Sequence, residues 1–157
     1  MLIKALSSDY IPQWLDLARE MEPIFQGIMV NDTKFQNFMK RKIDEKEVFM
    51  VLDRRNPLVV MGIIAFSKKN NHIAWFGVFE KYRKKGVGSK LLECAIDQLD
   101  NTKEIEVITF RDNQPYALPA KNIYKKYGFK EIDKNMFHNN QPRCLMKRPP
   151  DLLKYKS

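Results

Sequence analysis

The sequence predicts an α/β (α+β) fold, a mixed central sheet of about six to seven strands with four helices on its two faces. Three observations carry this. An apolar run from His72 to Phe79 leads into a basic, glycine-bearing loop and then into helical periodicity from Val87 to Leu99, which is a strand–loop–helix unit. A β-branched run, Ile105 to Phe110, follows that helix, and a right-handed crossover makes it parallel to the strand before the loop. Upstream, short turns join successive apolar runs, and short turns join antiparallel neighbours.

In chain order, Leu2 to Ala5 is a short strand. Ser7 or Ser8 caps a helix with apolar residues at Ile11, Trp14, Leu15, Ala18 and Met21, and Pro23 is expected to stop it. Residues 23 to 31 form an apolar loop. Asp32 caps a second helix, to about Lys42, that buries Phe35, Phe38 and Met39. Val48 to Asp53 and Leu58 to Ser67 are a hairpin about Arg54-Arg55-Asn56-Pro57, and Asn70-Asn71 turns the chain into the strand from His72. The helix after the loop buries Val87, Leu91, Leu92, Ala95 and Leu99. Beyond Ile105 to Phe110, a loop with Pro115 precedes a helix carrying Leu118, Ala120, Ile123, Tyr124 and Tyr127, which Gly128 ends. Phe129 to Asp133 and Arg143 to Lys147 are the last strands. One domain spans 1–148, and 149–157 is a tail.

The loop carries the chemistry. A helix that starts inside it points backbone N–H groups and the positive end of a dipole at one spot, which suits phosphate or pyrophosphate. Gly86 and Gly88 let the backbone approach an anion, and Arg83, Lys84, Lys85 and Lys90 add positive charge. A glycine turn with a solvated basic face is the plainer alternative. The P-loop spacing Gly-x-x-x-x-Gly-Lys-Ser/Thr is absent, and the dinucleotide fingerprint lacks its third glycine.

Arg83-x-x-Gly86-x-Gly88, with Val78 upstream, resembles the Arg/Gln-x-x-Gly-x-Gly/Ala signature of the GNAT superfamily, the acyl-CoA-dependent N-acyltransferases. Glu80 stands where many members carry proline. Ala120-x-x-x-Tyr124-x-x-Tyr127-Gly128-Phe129 resembles the closing motif of the same family, and the order of elements is the family's over nearly the whole chain. Ala117 stands where many members carry asparagine, seven residues before the tyrosine.

The resemblance implies an acetyltransferase that moves an acetyl group from acetyl-CoA to a primary amine by direct attack. It implies cofactor contacts from Phe76, Gly77 and Val78, from Arg83 through Ser89 (Arg83, Lys84, Lys85, Gly86, Val87, Gly88, Ser89), and from Lys121. The strands ending at Val78 and near Thr109 would splay, so that the pantetheine arm adds as a pseudo-strand and an amide near Val78 polarises the thioester carbonyl. Tyr124 would be the general acid that protonates the leaving thiolate, whereas a core aromatic is its plainer reading. Tyr127 reads as packing. His72 occupies the position of the glutamate base of some members and titrates near neutrality, or it is a turn histidine; Glu22, Glu80 and ordered water are the other sources of a base.

Acceptor selection is expected from the first two helices, their loop and the last turn. The substrate-side residues are Glu22, Phe25, Thr109 and Arg111, with Gln26 and Met29 in the loop, His138 to Gln141 in the last turn and Asp112 nearby. The acceptor is a small-molecule amine or a peptide N-terminus. The net charge of +9 over 157 residues suits an anionic cofactor or a polyanion, but the basic residues are dispersed and no aromatic-plus-basic repeat suggests base stacking. An acyl-CoA sensor with little catalysis, or a nucleic-acid-associated protein on the same fold, is the alternative. Two cysteines, Cys94 and Cys144, read as buried reduced thiols, and with two histidines no metal site is expected. No apolar run reaches the ~18 residues of a membrane span and no signal-peptide core is present, so a cytoplasmic monomer or homodimer is expected.

Overall fold

The computed structural model describes residues 1–114 and 117–151. Pro115 of the expected loop and residues 152–157 of the expected tail lie outside the described residues.

Strand β1 (Leu2–Ala5) leads through a single 3-10 turn, Ser8–Tyr10, into helix α1 (Ile11–Phe25). No serine side chain caps that turn; Pro12 lies in the first turn of α1, where its missing N–H removes no intrahelical bond. Pro23 does not stop the helix. It lies in the last turn, where it forfeits one bond to an exposed carbonyl, and the helix ends where Gln26 turns left-handed at φ 58° and donates its N–H to Glu22 O. Helix α2 (Thr33–Asp44) is capped as expected, with Asp32 Oδ1 accepting the Lys34 N–H at 3.0 Å.

Strands β2 (Val48–Asp53), β3 (Asn56–Ser67) and β4 (His72–Val78) follow, then helix α3 (Val87–Gln98), strand β5 (Ile105–Thr109) and helix α4 (Ala117–Lys126). The closing hairpin, β6 (Lys130–His138) and β7 (Gln141–Arg148), is longer than the sequence predicts. Asn139 and Asn140 sit at φ 51° and 62°, the two left-handed positions of a tight hairpin turn that asparagine tolerates. Met136 to His138 therefore pair with Arg143 to Gln141, beyond the predicted end of the strand at Asp133, with register shifts between Glu131 and Met136.

The sheet has seven strands in the order β1-β2-β3-β4-β5-β7-β6. β1 and β2 pair antiparallel, as do β2 and β3, β5 and β7, and β6 and β7; β4 meets β5 in parallel at His72↔Glu106, as a crossover through α3 requires.

The chain divides into two compact units, Met1–Phe66 with Ala74–Ala95, and Ser67–Ile73 with Ile96 onward. The first is built on an aromatic cluster. Trp14 of α1 meets Phe35, Phe38 and Trp75 edge-on at 5.9–6.2 Å between ring centroids, and Leu17, Met39, Met50 and Ile63 complete the core. Each such ring pair adds roughly 0.5–1.5 kcal/mol beyond the area it buries. Gly62 of β3 makes the closest approach: a Cβ there would lie 3.0 Å from Gly77 O, Val87 Cγ1 and Leu91 Cδ1, so α3 rests directly on the strand.

In the second unit Asn71 fixes the turn before β4. Its amide donates to Asp100 O and Glu104 O at 2.9 Å, its oxygen accepts the Asp100 N–H at 2.8 Å, and its φ is 51°. Asp151, expected in the tail, donates its N–H to Asn101 O at 2.8 Å. Helix α4 buries Ala117, Lys121 and Tyr124, while Leu118 is exposed. Tyr124 is thus buried as the helical spacing suggests, but Leu118 faces out, and Lys121, ion-paired with Asp112 and Glu131, is buried in its stead.

Candidate functional site

The glycine loop lies in the first unit. β4 ends at Val78, Phe79 donates its N–H to Met61 O at 3.1 Å, and Glu80–Tyr82 form one 3-10 turn. Two residues then take left-handed backbone, Lys84 at φ 61° and Gly86 at φ 83°. Glycine is at ease there, and Lys84 stores strain of roughly 1–3 kcal/mol, as residues at functional loops often do. Gly86 O accepts the Lys90 N–H at 3.1 Å and so begins α3. The amides of Val87, Gly88 and Ser89 precede the first residue whose acceptor lies inside the helix, and they sit at the positive end of its dipole. A Cβ on Gly86 would meet nothing nearer than Met1 Cε at 3.9 Å, so the space beside Gly86 is open. Lys84, Lys85 and Lys90 are exposed around it.

Arg83 faces the fold as well as the loop. Its Nε donates to Val78 O at 3.1 Å and an Nη reaches Met21 Sδ at 3.8 Å, which leaves further guanidinium donors for an anion. Phe76 is half-buried, and a Cβ on Gly77 would press on the Trp75 ring at 3.1 Å.

The α1–α2 connection belongs to the same unit. Glu22 accepts two loop amides on one oxygen, from Met29 at 2.6 Å and Val30 at 3.1 Å, so it shapes the loop. Phe25 packs edge-on against Trp75 at 5.9 Å, and Trp75 Nε1 donates to Met29 Sδ at 3.4 Å.

The second unit holds the tyrosine. Tyr124 is buried, its ring centroid lies 5.5 Å from that of Phe129, and burial raises its phenol pKa well above the ordinary value. The phenol thus keeps its proton throughout the neutral range. Thr109 is buried opposite Cys144, whose thiol pKa burial also raises. Arg111 braces the closing hairpin: it donates to Arg143 O at 3.3 Å and Met136 O at 2.8 Å and stacks over Phe137 at 4.8 Å. Burial lowers the guanidinium pKa of the neighbouring Arg143. His72 is half-buried at the start of β4, and the alternation along that strand puts it on the parity of Ala74, Phe76 and Val78, opposite to Ile73 and Trp75.

Lys121 is buried in an ion-pair cluster. Its Nζ lies 2.7 Å from Asp112 Oδ1 and 3.5 Å from Glu131 Oε1, and Glu131 also meets Lys125 and Lys134. Desolvation opposes its charge, yet the bond to Asp112 and the nearby acids hold its pKa above the ordinary value. The hydrogen bond from Lys121 lowers the pKa of Asp112; for Glu131 desolvation is outweighed by its lysines, and its pKa is lowered too. The contacts of Lys121 are therefore with carboxylates that bind α4 to the β5–α4 loop and β6.

The sequence reading missed Glu20, whose Oε2 accepts the Glu80 N–H at 3.0 Å across 60 positions. Its only sequence signal is Glu80 itself, which has an amide to satisfy at the corner where a proline would have none.

Residues 18–148 match the family described as the acetyltransferase (GNAT) domain. An N-alpha-acetyltransferase of Sulfurisphaera tokodaii is 31% identical over 86 residues, 52% of this chain and 49% of that protein; the chain spans about half the length of the curated relatives it matches. The fold is also that of a ribosomal-protein-alanine N-acetyltransferase from Brucella melitensis, with TM-score 0.72, 13% identity and coverage of 95% and 99% of the two chains. A chain from a crystal structure of the NatC complex bound to Gag peptide and CoA gives TM-score 0.67 and 19% identity, over 94% and 97% of the chains.

Proposed function

The chain belongs to the GNAT acetyltransferase family, and from that premise we propose that it transfers an acetyl group from acetyl-CoA to the α-amino group of a peptide, as a cytoplasmic enzyme whose transferase domain is residues 1–148. The observation that carries the proposal is the open cradle at Gly86. A left-handed glycine, first-turn amides without intrahelical acceptors and three exposed lysines fit a pyrophosphate, and a Cβ at Gly86 would fill that space.

Acetyl-CoA supplies the activated acetyl group and departs as the free thiol. Residues Val87 to Ser89 hold its pyrophosphate by backbone amides, and Arg83, Lys84, Lys85 and Lys90 screen its charge. An N–H near Val78 is the donor assigned to the thioester oxygen. Tyr124 keeps a proton on its phenol oxygen that it can give to the leaving sulfur. His72 is the candidate to relieve the amine of its proton. The peptide α-amine as acceptor class is supported by the names of the curated relatives and by an α1–α2 loop held by Glu22 with Phe25 at its base.

Calorimetry with acetyl-CoA, controlled by dephosphorylated coenzyme A and ATP, tests the donor. Mass spectrometry of peptides with free or blocked α-amines tests the acceptor. A single acetyl on the free α-amine is expected. Absence of selective acetyl-CoA binding overturns the proposal, and acetylation of lysine side chains alone overturns the acceptor class.

A further inference from the structure

The corner between β4 and the glycine loop is held from α1. Glu20 Oε2 accepts the Glu80 N–H at 3.0 Å, and the adjacent Met21 Sδ meets the Arg83 guanidinium at 3.8 Å. Arg83 in turn closes on Val78 O at 3.1 Å. Two neighbouring residues of one helix thus pin both ends of the segment Glu80–Arg83, from which the chain enters the left-handed Lys84 and the cradle at Gly86. Of these contacts only that of Glu20 is a hydrogen bond from a backbone amide of the loop to an ionised side chain, the stronger kind.

Resting on the acetyltransferase reading, we infer that Glu20 is a positioning residue for the acetyl-CoA site, acting through the Glu80 amide to set the loop's entry angle. Its charge works against this role, because an anion near a phosphate site repels it. Glu20 is solvent-exposed, where ionic screening weakens that repulsion, whereas the hydrogen bond is a direct contact.

The backbone provides a clean test. Phe79 has φ −56° and ψ 137°, the conformation required of a residue before proline, and Glu80 opens a helical turn, where proline is accepted. Glu80→Pro removes the donor without leaving an amide unpaired. The expected results are these. Glu20→Ala weakens acetyl-CoA binding and raises its KM about two- to tenfold, with kcat at saturation unchanged. Glu20→Gln, which keeps a carbonyl acceptor, restores most of the affinity. In the Glu80→Pro background Glu20→Ala has no further effect. Amide hydrogen exchange of residues 80–89 in the cofactor-free protein quickens about two- to tenfold in Glu20→Ala. Equal losses in both backgrounds, unchanged exchange, or tighter binding by Glu20→Gln overturns the inference. If the unaltered chain binds no acetyl-CoA, the acetyltransferase reading fails, and the exchange measurement still decides the role of Glu20.

Discussion

Tyr124 and Phe129 are joined twice. The Phe129 N–H donates to Tyr124 O at 3.1 Å across the end of α4, and the two rings pack with centroids 5.5 Å apart. Gly128, at φ 91°, donates its N–H to Lys125 O at 3.0 Å. This pair of bonds, with the ring contact between the residues it spans, is a Schellman C-cap. The Tyr-x-x-Tyr-Gly-Phe motif thus has a structural task of its own: it ends α4, turns the chain into β6 and locks the tyrosine ring. The proposed catalytic task of the hydroxyl would be added to that structural one.

The two tasks separate in Tyr124→Phe. The ring contact and the cap survive, so the melting temperature at neutral pH should change little. Acetyl-CoA affinity should hold, while kcat falls about a hundredfold or more for loss of a general acid. Steady-state kinetics with calorimetry check this; full kcat across pH removes Tyr124 from the mechanism. Burial raises the folded pKa, so the stabilisation it gives is complete below the unfolded value of about 10 and is lost as pH rises beyond it. The phenylalanine variant should lack that alkaline loss.

Gly86 and Gly62 should fail for different reasons. At Gly86 the space is open and φ is 83°, so Gly86→Val strains the loop and fills the cradle. Acetyl-CoA binding should vanish with a fall in stability of about 1–2 kcal/mol. At Gly62 φ is unremarkable but a Cβ collides at 3.0 Å with Gly77 O and two α3 side chains. Gly62→Ala should cost about 1–3 kcal/mol by overpacking and weaken cofactor binding only through displacement of α3. Denaturant melts with calorimetry distinguish them, and retained binding in Gly86→Val would show that the loop is not the phosphate site.

His72 is tested by the pH profile. If it accepts the amine proton, His72→Gln should lower kcat and erase the acid limb of the kcat–pH profile, with acetyl-CoA affinity unchanged. An acid limb of the same shape in the variant assigns the proton to another group or to water.

The Lys121 cluster should mark the acid edge of stability. Asp112 and Glu131 have depressed folded pKa values, so their contribution is present above the unfolded values near 4 and is lost as pH falls through the folded ones. Lys121→Met removes the shared cation. Glu131 keeps Lys125 and Lys134, and Asp112 is exposed, so the loss at neutral pH should be smaller than the ~3–5 kcal/mol of a fully isolated buried charge. Melting temperatures from pH 3 to 7 should fall less steeply in the variant; parallel curves would dissociate the cluster from acid stability.

Elements with a strong local signal were legible. The Asp32 cap, β2 and β4, and the glycine loop before α3 stand where the sequence puts them, because each depends on periodicity or on one residue's backbone preference. Pro23 misled because a proline in a last turn removes a single solvent-side bond. The β6–β7 hairpin exceeds its predicted length because an edge strand of mostly polar residues has no apolar alternation. The burial of Lys121 in place of Leu118 has no local signal, because its carboxylate partners lie on other elements.

The sequence by itself determined the order of elements, the family signatures around Gly86 and Tyr124, and hence a mixed sheet of about six to seven strands. These are set within a turn or two of chain, where backbone sterics and spacing act. Tertiary structure alone decided which groups are neutralised and which loops are held: Glu20 on Glu80, Glu22 on Met29 and Val30, Lys121 between Asp112 and Glu131. The reason is physical. A polar side chain takes whatever partner the fold brings within about 3 Å, and each of these partners lies on another element or in a loop, beyond the reach of helical or strand periodicity.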